Sequence, residues 1–70
     1  METQELKNMI NTIYTPMDLN FIAENIKRDE EKYIKILFDT MLNSLRITLQ
    51  DEEYTASFEH FKKAIKELAK

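Results

Sequence analysis

The stretch that decides the fold lies in the middle of the chain and reads EEKYIKILFDTMLNSLRITL, residues 30–49. Its apolar side chains recur at intervals of three and four, the spacing of one face of an α-helix. They are Ile34, Leu37, Phe38, Met41, Leu42, Leu45 and Leu49. Counting ~100° per residue, this face covers about half of the helix circumference. The pattern predicts a central helix over about residues 30–48, packed among other helices.

Two helices are predicted before the central one. The apolar residues at helical spacing in the first segment are Leu6, Met9, Ile10, Ile13 and Tyr14. Proline cannot continue a helix but suits the first position of a new one, so Thr15-Pro16 predicts a break. Thr15 and Asp18 also have the spacing of a capping box. The predicted helices span residues 3–14 and 16–28.

Charge marks the remaining helix boundaries. The basic pair at residues 27–28 is followed directly by acidic residues 29–31. Helix dipoles favour cations at a C-terminus and anions at the next N-terminus, so a boundary is predicted here, although a continuous helix is an alternative. A second acidic run, residues 51–53, predicts a last helix over residues 51–69. The apolar residues of that helix are Tyr54, Phe58, Phe61, Ile65 and Leu68.

These segments predict a single all-α domain over residues 1–70. We expect a compact antiparallel helical bundle of three to four helices, with three if the second and central helices are continuous. One alternative remains at the end of the central helix. Residues 46–49 alternate polar and apolar side chains, as a short strand does.

Composition excludes several classes of protein. The chain has no glycine, which phosphate-binding loops and dinucleotide folds need where backbone approaches phosphate. It has no cysteine, and therefore no disulfide and no thiolate metal site. The formal net charge of −3 disfavours general affinity for nucleic acid. Because the sequence shows neither an apolar run of ~18 residues nor a secretory signal, we expect a soluble, cytoplasmic protein that does not enter a membrane.

Few residues have the chemistry that catalysis requires. His60 is the only histidine and lies at the margin of the last helix's apolar face, so a surface position is expected. Successive carboxylates on a helix point ~100° apart, so residues 29–31 and 51–53 do not converge on one metal ion. Ser44 and Ser57 have no base nearby in the sequence. We therefore predict no catalytic residue, no cofactor, no metal site and no enzymatic activity.

Residues 19–37 resemble a DNA-binding helix-turn-helix. The matching apolar or small residues are Ile22, Ala23, Ile26, Tyr33, Ile36 and Leu37. The resemblance implies a regulator whose second helix reads the major groove. The sequence departs from the motif at its turn, where Lys27 and Arg28 replace the usual glycine and apolar residue, and its second helix opens with carboxylates that phosphates repel. DNA binding is therefore the alternative function, and no specific nucleic acid is expected.

The last helix is similar to the second helix of a tetratricopeptide unit. The matching positions are Tyr54, Ser57, Phe61 and Ala64. One unit cannot form a solenoid, because about three repeats are needed for stability. The resemblance instead implies a tight antiparallel pairing of the last two helices, in which the small residues Ser57 and Ala64 let the backbones approach closely.

Several apolar residues fall outside the predicted core faces. Met17 and Phe21 point away from the core face of the second helix. Ile36 and Ile47, at the helical spacing i, i+11 with Thr40 between them, form a second stripe on the central helix. Either the first helix and the loops cover these five residues, or they contact another chain, since contiguous apolar surface usually marks an interaction site.

The sequence therefore predicts a non-catalytic protein–protein interaction module. A two-fold dimer would cover the patch with itself, so we predict a homodimer, a complex with a larger protein, or both. A small regulator, an inhibitor, an adaptor and an accessory subunit are all compatible with this prediction.

Overall fold

A computed structural model describes residues 1–69 and shows four α-helices, with no strand within that range. The helices are α1 (Thr3–Ile13), α2 (Pro16–Arg28), α3 (Glu30–Leu45) and α4 (Asp51–Leu68). They form the all-α helical bundle that the apolar periodicity predicts, with a radius of gyration of 11.2 Å. Lys70, the last residue of the predicted domain, lies outside the described residues.

Helices α3 and α4 are antiparallel and build the aromatic centre of the core. The ring of Phe38 lies 5.0 Å from that of Phe61 and 5.3 Å from that of Tyr54, measured between centroids. At the beginning of α3, Glu30 pairs with Lys66 near the end of α4, with 2.6 Å between Oε1 and Nζ. Residue numbers therefore rise along one helix as they fall along the other.

Helix α1 lies along α4 in the same direction, which corrects the predicted use of the small residues. The α-amino group of Met1 donates to Ser57 Oγ at 3.0 Å, while Lys7 pairs with Glu67 further along α4. Ser57 and Ala64, two turns apart on one side of α4, are both buried. Ser57 therefore serves the α1–α4 pairing, which is the most extensive in the bundle, rather than the α3–α4 pairing that we predicted.

Local capping determines where α2 begins. The backbone N–H of Asp18 donates to Thr15 Oγ1 at 3.1 Å, and the backbone N–H of Thr15 donates to Asp18 Oδ2 at 2.9 Å. This confirms the predicted capping box. The boundary predicted from charge is also confirmed, because Asp29 alone separates α2 from α3 and is outside helical geometry, at φ −155° and ψ 84°.

Helix α3 ends at Leu45, three residues before the predicted end at residue 48. Arg46 adopts the left-handed conformation, at φ 57° and ψ 41°, and the Ile47 N–H bonds back to the Leu42 carbonyl at 2.9 Å. The alternation across residues 46–49 is real, since Ile47 and Leu49 pack against the core while Thr48 is exposed. It belongs to a loop rather than to a strand.

Arg46→Gly should stabilise the protein by about 0.5–1 kcal/mol. A residue with a Cβ is destabilised by ~1–2 kcal/mol in the left-handed region, and glycine avoids this cost. Glycine also raises the entropy of the unfolded chain, which cancels part of the gain in stability. Urea unfolding monitored by circular dichroism measures the change. Arg28→Gly, at the last residue of α2 where φ is negative, is the matched control and should destabilise by about 1 kcal/mol or less. Equal effects of the two substitutions would contradict this account of the α3 terminus.

Candidate interaction surface

Three large apolar side chains of α2 and α3 stand in solvent. Met17 is 80 % exposed, Phe21 67 % and Ile36 52 %. All three belong to the residues that helical spacing placed outside the core. Thr40, one turn beyond Ile36 on the same side of α3, is also exposed. We call these four residues the apolar face.

A groove between α2 and α3 borders the apolar face. The residues lining this α2–α3 groove include Ile13, Tyr14, Asp18, Phe21, Tyr33 and Leu37, and its volume is about 290 Å³. It forms because the single-residue link at Asp29 folds α3 back against α2. Ile36 is one helical turn from Tyr33, and Thr40 is one turn from Leu37, so both lie at the rim of the groove.

A second depression extends the apolar surface towards the end of α3. Asn8, Met9, Thr12, Ile13 and Leu45 line a depression of about 240 Å³, and Ile13 also lines the α2–α3 groove, so the two depressions are neighbours. Sequence reasoning assigned Ile13 and Leu45 to core faces, yet both are exposed. The structure shows why: each is the last residue of its helix, where no following turn covers it.

Ile47 does not belong to the apolar face, contrary to the sequence analysis. Its predicted place beside Ile36 assumed that α3 continues for eleven residues beyond Ile36. Because α3 ends at Leu45, that helical phase does not apply. Ile47 instead turns inwards and is partly buried against the core.

The floor of the groove carries hydroxyl groups that stay protonated at neutral pH. Burial, then the neighbouring Tyr33 and Asp18, raise the pKa of Tyr14 above its usual 10.0. Burial also raises the pKa of Tyr33. Asp18 is the one acidic side chain that lines the groove among the described residues, and it is held by its capping bonds at the start of α2.

A polar cluster joins α3 to α4 on the other side of the bundle. The Tyr54 hydroxyl donates to Asp39 Oδ1 at 2.5 Å, and the Lys35 ammonium donates to the Tyr54 hydroxyl at 3.1 Å. The Lys35 ammonium also lies 5.1 Å from the Tyr54 ring centroid. Burial, followed by the bond to Asp39, raises the pKa of Tyr54. These contacts connect the two helices.

The folded protein should lose stability as pH rises beyond about 10. The pKa of each of the three tyrosines is raised above 10.0 in the folded state, so their contribution is complete below the unfolded pKa and is lost as pH rises through the folded pKa. Phenolate absorbance should titrate at higher pH in the native protein than in urea. Tyr54→Phe should remove one third of the absorbance change. A native titration centred at or below the urea titration would contradict the assignment.

His60 lies at the margin of α4, as its spacing predicts. Its Nδ1 is 2.7 Å from the Met1 carbonyl oxygen, and its ring is half-buried. Within residues 1–69, no three histidine, cysteine or carboxylate side chains come together in a way that could hold a metal ion. His60 thus ties the first residues of the chain to α4.

Helices α2 and α3, which resemble a helix-turn-helix in sequence, are joined by a shorter connection than that motif has. The motif uses a turn of about three to four residues between its helices, whereas Asp29 alone separates α2 from α3. Glu30 and Glu31 occupy the first turn of α3, and Glu30 is paired with Lys66. A nucleic acid that approached the N-terminus of α3 would therefore meet carboxylates, which repel its phosphates.

The observed architecture places the protein in the class of small all-α bundles. No helix among residues 1–69 combines the length and apolar character that crossing a bilayer requires. Comparisons with protein-family models, with curated proteins and with solved structures found no match for the chain.

Proposed function

We propose that this protein is a non-catalytic interaction module that binds another polypeptide through the apolar face and the adjoining α2–α3 groove. The observation that carries the proposal is the exposure of Met17, Phe21 and Ile36 on α2 and α3, the two helices that form the groove. The partner is a second copy of the chain or a larger protein, and the module acts in the cytoplasm as a regulator, inhibitor, adaptor or accessory subunit.

Energetics support a role in binding for this surface. Burying a large apolar side chain contributes ~1.5–3 kcal/mol relative to leaving it in water. The bundle leaves three such side chains more than half exposed although its core is small. Apolar groups gathered on one face beside a groove commonly mark an interaction site, whereas scattered ones do not. The groove also offers a few polar groups, Tyr14 and Asp18 among them, that can orient a partner.

A photo-reactive amino acid tests the proposal in the native cell. Placed at Phe21, it should cross-link to a defined polypeptide that mass spectrometry identifies, including this chain itself. The matched control is the same residue at Thr55, which is exposed on α4 away from the groove. Adding Ile36→Glu should reduce the cross-link from position 21. Identical products from positions 21 and 55, or no product from either, would overturn the proposal.

Duplex DNA should bind no more tightly than the micromolar range of non-specific contacts. The reasons are the net charge of −3 and the acidic first turn of α3. Fluorescence anisotropy with a pool of labelled duplexes at physiological salt measures the affinity. A nanomolar affinity that depends on base sequence would replace the interaction module with the DNA-binding alternative.

A further inference from the structure

Met17 is the most exposed large apolar side chain among the described residues, and it stands directly beside the α2–α3 groove. It lies one helical turn before Phe21, which lines that groove. We propose that the occupant of the groove is a second copy of this chain, with Met17 of each copy inserted into the groove of the other. This inference rests on the proposed function, because it names the partner of the same surface.

The face is self-complementary in the way that a two-fold dimer requires. An isologous interface uses one surface patch twice, so each projection must have its receiving depression close by on the same patch. Here the projection and the depression are one helical turn apart, ~5.4 Å along the axis. Suppose that the two α2 helices pack antiparallel about a two-fold axis at the level of Leu19. Met17 of each chain then meets Phe21 of the other chain, which gives two equivalent contacts.

Helical phase supports the Leu19 register. Met17 and Phe21 are at the spacing i, i+4, so they project from the same side of α2, and in this register each Met17 lies at the level of the other copy's Phe21. Asp18 is about 100° from Met17 and lies at the flank of this side, outside its apolar centre.

The apolar area agrees with what a stable dimer needs. Taking ~200 Å² for a whole large side chain, the exposed parts of Met17, Phe21 and Ile36 amount to roughly 350–400 Å². A standard interface buries ~800 Å² per partner, of which somewhat more than half, ~450 Å², is apolar. The walls of the groove and Ile13 supply the remainder. The face is therefore large enough to hold two copies together.

Sedimentation over a range of protein concentrations tests whether the second copy binds. The wild-type chain should be a dimer at high micromolar concentration. Met17→Glu should raise the dissociation constant by at least ~100-fold, because the substitution removes an anchor at two equivalent places. Gln4→Glu adds the same charge on the exposed surface of α1 and should leave the dissociation constant unchanged.

Engineered cysteines test the register independently of any folding defect. Because the natural sequence has no cysteine, single substitutions report one contact each. Met17→Cys chains mixed with Phe21→Cys chains should form a disulfide under mild oxidation at least ~10-fold faster than Met17→Cys mixed with Thr55→Cys. In the mixed dimer the second Met17–Phe21 contact remains intact, so the substitutions do not abolish association.

The outcomes separate this inference from the proposed function. A wild-type chain that sediments as a monomer at high micromolar concentration overturns the second copy as occupant. Cross-linking from position 21 to a different polypeptide would then still support the interaction module. A dimer that forms equally with Met17→Glu, or equal disulfide rates in the two mixtures, overturns the placement of Met17 in the groove.

Discussion

Phe38→Ala should unfold most of the protein at room temperature. Phe38 is fully buried, and its ring contacts those of Tyr54, Phe58 and Phe61. Truncating a buried phenylalanine costs about 3–5 kcal/mol, because apolar burial is lost and a cavity remains. A single core in a chain of this size rarely supplies more than ~3–5 kcal/mol in total. The loss is therefore about as large as the whole free energy of unfolding.

Circular dichroism during thermal and urea unfolding measures this effect. Phe21→Ala is the matched control, since it removes the same atoms from a side chain that is largely in solvent. We expect the control to change the stability of the single chain by about 0.5 kcal/mol or less. The two variants are compared at low protein concentration, where any association contributes least. A folded, cooperative Phe38→Ala protein would show that the aromatic cluster is not the centre of the core.

Ile34→Glu and Ile36→Glu should have opposite outcomes although the two positions are only two residues apart on α3. Ile34 is fully buried, so the substitution both removes an apolar side chain, at about 2–5 kcal/mol, and places a carboxyl group where water is absent. Together these costs exceed the stability of the domain, and the chain should unfold. Ile36 is 52 % exposed, so its carboxylate remains hydrated and the helix persists.

Helicity and hydrodynamic size decide between these expectations. Ile34→Glu should lose its helical circular dichroism signal and its compact sedimentation. Ile36→Glu should keep its helicity, with a change of about 0.5 kcal/mol or less in the stability of the single chain. If Ile36→Glu unfolds as a monomer instead, Ile36 is part of the core and the apolar face does not exist as described.

The sequence by itself was sufficient for the local features of the bundle. A spacing of three to four between apolar residues is a property of each helix alone, so the helical segments and most of their buried faces followed from it, while the count of three or four helices stayed open. The capping box of Thr15 with Asp18, and the charge reversal at Arg28-Asp29, are also interactions within a few residues. For the same reason the position of Met17, Phe21 and Ile36 outside the core faces followed from helical phase, whereas the tertiary structure decided that no other segment of residues 1–69 covers them.

Only the tertiary structure decided which helices are neighbours and where α3 ends. The small residues Ser57 and Ala64 predict that another helix packs closely on α4. They do not identify that helix as α1, which is more than forty residues away in the sequence. The end of α3 carries no glycine, so no local signal separates Leu45 from the residues after it. The chain leaves the helix at Arg46 and accepts a left-handed residue there, since this turn lets Ile47 and Leu49 pack on the core. Such contacts join distant segments, and their energy depends on the assembled bundle rather than on the local pattern.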